Sequence, residues 1–375
     1  MQGERSAMVE GSAGQWARPW ATDTDARERV VPRRTSLAWR QPRGWRALLA
    51  AFSLVGAPAA FPDNVYVVSF TTGGLYRYDS ADPAGTLTTL TGTGAMVKPS
   101  AVAVGPDGML YIGESGDFNS VFPQIRRYDP ATGTLSVVTS LAAQGIVPAS
   151  IAFKGDAMLV GRNPFFGNTG PIAKLTGWNG GTVAVTDYTS GGSLSSSPGL
   201  AVAADGSLYV SDQTYNFATG VATGPVKKFD ASGTYVGEVV ADGAGGLAGP
   251  TGLALVGNTL FTASIMNGSV LRTDVTTGVT TIFASTGTPF ATGPLAPLSD
   301  GGLLAGSPAG DGAIYRVGID GSLAATFASG LGQIGGIAIT AVPEPATWML
   351  AATGAAIACW HAWRRRGRGG RLPPS

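Results

Sequence analysis

PSAVAVGPDGMLYIGES, residues 99–115, decides the fold. It reads as a short apolar strand, a tight Pro-Asp-Gly turn and a second apolar strand. The pattern returns as PASIAFKGDAMLVGR from Pro148, SPGLAVAADGSLYVSD from Ser197, PTGLALVGNTLFTAS from Pro250 and PLAPLSDGGLLAGS from Pro294. The spacing is about 40–50 residues, the range in which a repeated four-stranded unit means a propeller blade.

Each unit extends the same way. Strand A is the apolar run with a central alanine: Ala103, Ala152, Ala201, Ala254, Ala296 and Ala338. A small residue there suits innermost strands that crowd around an axis. Strand B follows a turn at Asp107-Gly108, Asp205-Gly206 or Asp300-Gly301, where Asp and Gly supply the unusual backbone angles. Strand C is the Ile125–Asp129 type, recurring at Leu75–Asp79, Val226–Asp230 and Val270–Asp274, and a second Gly turn leads to strand D. Pro297 falls inside one strand A, which is tolerable on an inner edge where its missing N–H faces no partner.

The body begins in mid-repeat. Asn64-Val65-Tyr66-Val67 matches the second half of the unit, and the missing first half lies at the far end as Ile334-Gly335-Gly336-Ile337-Ala338-Ile339. Five complete units and one split unit predict six blades, with the two ends zipped into a shared sheet. Such a closure leaves no free edge. A two-sheet sandwich would call for neither the even repeat nor the split unit.

Composition agrees and also excludes. Glycine is abundant at 56 residues in 375, and charged residues are only 13%, as many short strands and tight turns require. The net charge of +1 gives no global field for nucleic acid. The chain has one cysteine, Cys359, and one histidine, His361, both near its end. No intrachain disulfide can form. A Ser/His or Cys/His nucleophile pair and a histidine-ligated zinc are excluded from the body.

Residues 1–46 are basic and show no apolar periodicity. A short apolar run at 47–55 follows, then Ala57-Pro58-Ala59-Ala60. Basic region, short apolar run and small residues describe a secretory signal peptide for the Sec machinery, cleaved near Ala59 or Ala60. Arg33-Arg34 before Leu37 also resembles a twin-arginine signal. Beyond Thr340, Pro343-Glu344-Pro345 breaks any strand, and residues 346–363 form an apolar run of about 18 residues, the lower limit for a bilayer-spanning helix. Arg364, Arg365 and Arg366 follow and would keep that end cytoplasmic, with the body across the membrane.

These three parts in this order resemble the PEP-CTERM sorting signal. The resemblance implies a Gram-negative bacterium, processing by an exosortase, and association with exopolysaccharide or biofilm matrix. The body, through Gly105–Ile112 and its copies, resembles the propellers of the NHL, regucalcin/gluconolactonase and streptogramin-lyase groups. The lyase activity implies histidine, which the body lacks. The regucalcin group implies a metal held by Glu, Asn and Asp, here matched by Glu114, Asn163 and Asp212 after strand B of three consecutive blades. An oxygen-ligated calcium ion is the one cofactor this leaves open.

The same three blades have long connections from strand B to strand C, carrying Phe118, Phe122, Phe165, Phe166, Tyr215 and Phe217 among Asn, Thr and Gln. All B–C connections leave a propeller on one face, and aromatic faces beside amides suit a glycan.

The expectation is therefore an all-β, six-bladed β-propeller over residues 61–340 whose terminal segments share one blade. A leader and signal peptide over 1–60 precede it, and a sorting signal with a single transmembrane helix over 341–375 follows. Its expected role is that of an exported, non-enzymatic surface or matrix module binding polysaccharide. The alternative is a metal-assisted hydrolase of the lactonase type.

Overall fold

Ile334–Thr340 lies antiparallel against Asn64–Ser69, with Val65 opposite Ile339 and Val67 opposite Ile337. The two ends of the body zip into one blade, as the split repeat predicts. In this computed structural model, residues 62–163 and 169–341 are described. The expected signal peptide, the Pro343-Glu344-Pro345 motif, the apolar span at 346–363 and Arg364, Arg365 and Arg366 lie outside them. Among the described residues no helix is long and apolar enough to cross a membrane.

Six four-stranded antiparallel sheets account for the body. The first runs Ile334–Thr340, Asn64–Ser69, Leu75–Asp79 and Thr88–Thr91, from axis to rim. Blade 2 begins at Pro99–Val104, blade 3 at Pro148–Lys154, blade 4 at Leu200–Val202, blade 5 at Pro250–Val256 and blade 6 at Leu295–Pro297. Each of these is strand A, the inner edge of its sheet. Pro297 sits on such an edge and is exposed.

Burial falls from the middle of each blade to its rim. Strand B of blade 2, Leu110–Glu114, is buried along its whole length. Strand D, Thr134–Ser140, is half-buried or exposed throughout. A strand with sheets on both faces reads as a continuous apolar run, which explains why strand B carried the clearest signal.

The core is divided among the blade–blade interfaces. Val65 and Val67 pack with Ala296, Leu304 and Ile314 of blade 6. Tyr66 and Val68, pointing the other way, pack with Val102, Leu110 and Ile112 of blade 2. Strand periodicity of two thus feeds two different cores from one strand. Four further clusters fill the remaining interfaces and complete the ring.

Around the axis, hydroxyls on A strands reach backbone carbonyls at or just before the A strand of the next blade. Ser100 Oγ donates to the Pro148 carbonyl at 2.5 Å, and Ser150 Oγ to that of Ser197 at 2.7 Å. Thr251 Oγ1 donates to the Gly293 carbonyl at 3.4 Å. Between blades 1 and 2 the approach is closer still: a Cβ on Gly335 would overlap the Pro99 carbonyl oxygen. The sequence reading placed the crowding at the central alanines, and the tightest contacts lie a few residues earlier.

Candidate binding site at the channel mouth

The start of each strand A pairs with the end of the following strand B. Pro99 lies opposite Glu114, Pro148 opposite Arg162 and Pro250 opposite Ser264. Val102 lies opposite Ile112, and Leu200 opposite Val210, which makes Asp212 equivalent to Glu114. Asn163 is one residue further along, in line with Ser115 and Gln213. Successive strand residues face opposite sides. Asn163 and Gln213 line the central channel, whereas Glu114, Arg162 and Asp212 do not.

This corrects the expected metal ligands. Glu114 is fully buried, and its Oε2 accepts from Gln124 Nε2 at 2.6 Å and from Arg126 Nη1 at 3.3 Å. Its Oε1 accepts the Val97 N–H. Asp212 accepts the Ser195 N–H at 2.7 Å and Lys227 Nζ at 2.5 Å. Each carboxylate is already neutralised by a cation from strand C of its own blade. At the equivalent place in blade 3, Arg162 Nε donates to the Pro171 carbonyl at 2.9 Å. Calcium takes about 6–8 oxygens, several of them free anionic ones. Among the described residues no group of three or more His, Cys, Asp or Glu side chains could hold a metal. Glu114, Asn163 and Asp212 therefore do not fit a calcium site.

What the mouth does hold is a cavity of about 650 Å³, a volume typical of small-ligand sites. The first residues of all six A strands line it, together with residues from the connections at the same end. Its polar lining includes Lys98, Asn163, Gln213 and Gln333, and its apolar lining Phe70, Ile265 and Phe290. Lys98 is the one charged residue among the described lining. Gln213 is anchored by its Nε2, which donates to the Pro250 carbonyl at 3.2 Å. Lys98 and Gln333 directly precede strands A, and Phe290 lies in the connection before Leu295–Pro297.

Two of the three aromatic connections are described, and both are ordered by local hydrogen bonds. Asp117 Oδ1 accepts the N–H groups of Asn119, Ser120 and Val121 at 3.0, 2.8 and 2.8 Å. Ser120 Oγ donates to Oδ2 at 2.6 Å, and this hydroxyl together with the backbone donors holds the Asp117 carboxyl well below the usual range. On this loop Phe118 and Phe122 are 48% and 53% exposed. In blade 4 the expected long loop is a small hairpin, Thr214–Asn216 against Val221–Thr223. Tyr215 and Phe217 meet edge to face at 5.0 Å across its tip, with Phe217 65% exposed. Phe165 and Phe166 lie outside the described residues.

The arrangement defines a class: a six-bladed propeller with an uncharged-to-cationic cavity at one mouth and exposed aromatics on the same face. A PEP-CTERM protein-sorting motif matches residues 341–366, so the chain is a propeller that carries this sorting motif. The motif implies exosortase processing and a membrane-anchored intermediate before the cell surface. Among solved structures the body is similar to a chain of a nidogen/laminin complex, at 14% identity and a TM-score of 0.59, covering 75% of this chain and 98% of that one. A protein of unknown function from Bacteroides caccae aligns at 13% identity and a TM-score of 0.52, over 74% and 98% of the two chains. A putative 6-phosphogluconolactonase from Bacteroides fragilis aligns at 14% identity and a TM-score of 0.50, over 76% and 99%. At such identities the likeness speaks for the fold alone. With 657 solved chains similar in shape, fold does not single out a function. No curated protein sequence matches the chain.

Proposed function

We propose that this protein is an exported, non-enzymatic binding module that holds polysaccharide at the cell surface or in the extracellular matrix of a Gram-negative bacterium. In this proposal the Sec machinery exports it and an exosortase processes its tail. The observation that carries the binding role is the set of exposed aromatics, Phe118, Phe122 and Phe217, on hydrogen-bonded connections beside an amide-lined cavity. Aromatic rings on rigid loops offer flat apolar faces at little entropic cost, and amides complement sugar hydroxyls. The lactonase-type alternative loses its support because the two carboxylates it needs are committed to Arg126 and Lys227.

The test is affinity electrophoresis of the processed protein in gels containing the exopolysaccharide of its host. Retardation is expected, and replacing Phe118, Phe122 and Phe217 together by alanine should reduce it at least tenfold. These side chains are exposed, so the triple variant should melt with wild type. Equal migration with and without polysaccharide would defeat the proposal. The sorting half has its own check: with Pro343-Glu344-Pro345 replaced by alanines, an unprocessed membrane form should accumulate in the native host.

A further inference from the structure

Among the described residues, three other than glycine have positive φ: Lys98 at 54°, Phe118 at 60° and Phe290 at 60°. Such backbone costs energy, and its location is informative when it clusters. All three lie at the B–C end of the propeller. Lys98 and Phe290 line the cavity, and Phe118 stands on the connection of blade 2.

Lys98 has a close internal comparison. Its carbonyl accepts the Ser115 N–H at 3.0 Å, just before Pro99 opens strand A of blade 2. In blade 5 the carbonyl of Gly249 accepts the Ile265 N–H at 3.0 Å, just before Pro250. Gly249 has φ of 67°, so these two blades share an unusual backbone here, whereas the Gln333 and Val147 carbonyls accept the matching N–H groups of Phe70 and Asn163 without positive φ. Blade 5 adopts this backbone with glycine, which does so freely. Blade 2 keeps a lysine there, with its strain. Lys98 is part of the cavity lining, and among the described residues no ion pair joins it to a carboxylate. The buried carboxylates Glu114 and Asp212 are neutralised locally, which leaves Lys98 as the source of net charge in the lining.

We propose that the channel mouth is a subsite for an acidic sugar, with Lys98 binding the carboxylate of a uronic-acid residue. Asn163, Gln213 and Gln333 supply amides for the hydroxyls, and the rings of Phe70 and Phe290 supply apolar faces. An ammonium is a compact point charge that suits a single carboxylate in an otherwise neutral site. This inference rests on the polysaccharide-binding proposal above and specifies the chemistry of its ligand.

The probes are pectate and alginate, each compared with its carboxyl-reduced, uncharged form, in affinity gels with the processed protein. Retardation by at least one acidic polymer is expected, falling tenfold or more on carboxyl reduction, the loss of one charge-assisted contact. Lys98→Gly should remove the acidic preference while melting no lower than wild type, because glycine adopts this backbone freely. Lys98→Arg should keep binding within about threefold, since the charge remains. Raised salt should weaken binding of the wild type and leave the residual binding of Lys98→Gly unchanged. Equal retardation by acidic and reduced polymers, or Lys98→Gly binding as wild type, would overturn the acidic-sugar subsite while leaving polysaccharide binding intact. No retardation by any of the four polymers would overturn the subsite, and the host-exopolysaccharide gel then decides the broader proposal separately.

Discussion

Glu114→Ala separates a structural carboxylate from a metal ligand. The Glu114 side chain is 1% exposed and Arg126 is 18% exposed. Truncation strips the acceptor from the Val97 N–H, Gln124 Nε2 and Arg126 Nη1. Arg126 Nε already lacks a partner, so the guanidinium would be left with little to offset its burial. Removing one member of a buried ion pair costs about 3–5 kcal/mol, and the residual exposure of Arg126 puts this case near the lower end, about 3 kcal/mol. For a domain of this size class each kcal/mol moves Tm by about 2–4 °C, so a fall of about 6–12 °C is expected. Glu114→Gln keeps an acceptor oxygen and the side-chain volume, and should cost roughly half as much. The assay is thermal denaturation of the processed protein and both variants, in millimolar calcium and in chelator. Neither condition should move any of the three melting curves. The reasoning is refuted if chelator lowers the wild-type Tm by several degrees and Glu114→Ala matches wild type in chelator while ignoring calcium.

Three further outcomes follow from the fold and its turns. Gly335→Ala places a methyl group against the Pro99 carbonyl oxygen and should cost about 1–3 kcal/mol in urea denaturation, with Gly92→Ala, which meets nothing nearby, as the control. Lys98→Gly relieves a positive φ and should raise stability by about 1 kcal/mol in the same assay, which no loss of packing would produce. Asp230, held below its ordinary pKa by the Ser232 hydroxyl and the Thr234 N–H, contributes stability that is present above the unfolded value of about 3.9 and lost as pH falls through the lower folded value. Asp230→Asn should therefore lower Tm at neutral pH, and the gap from wild type should close as pH falls below the ordinary carboxylate range in a pH series of melting curves.

The fold was legible because its signals repeat. The Asp-Gly turns recur where positive φ is needed, as at Gly108, Gly206 and Gly301. Strand B reads as an apolar run because both its faces are covered. The split unit named its own partner, and Asn64–Ser69 against Ile334–Thr340 is the result. The site was legible only in outline. The aromatic connections of blades 2 and 4 stood out by length and composition, and they are exposed on one face. The ligand set failed by a single residue, because one step along a strand turns a side chain to the opposite side. Asn163 faces the channel, whereas Glu114 and Asp212 face strand C cations that spacing alone did not reveal. Lys98, Phe290 and Gln333 were missed for another reason. They lie in dissimilar connections that only ring closure brings to one cavity, although the Lys-Pro and Gly-Pro pairs at 98–99 and 249–250 were a signal within reach.

Calorimetric titration of the processed protein with its host's exopolysaccharide, in chelator and in calcium, with the polymer sized afterwards, bears most directly on a binding module as opposed to a metal-dependent hydrolase. Saturable heat of equal size in both conditions, with polymer length unchanged, is the predicted result. Shortened polymer or released sugar that depends on calcium, with no saturable binding in chelator, would contradict it.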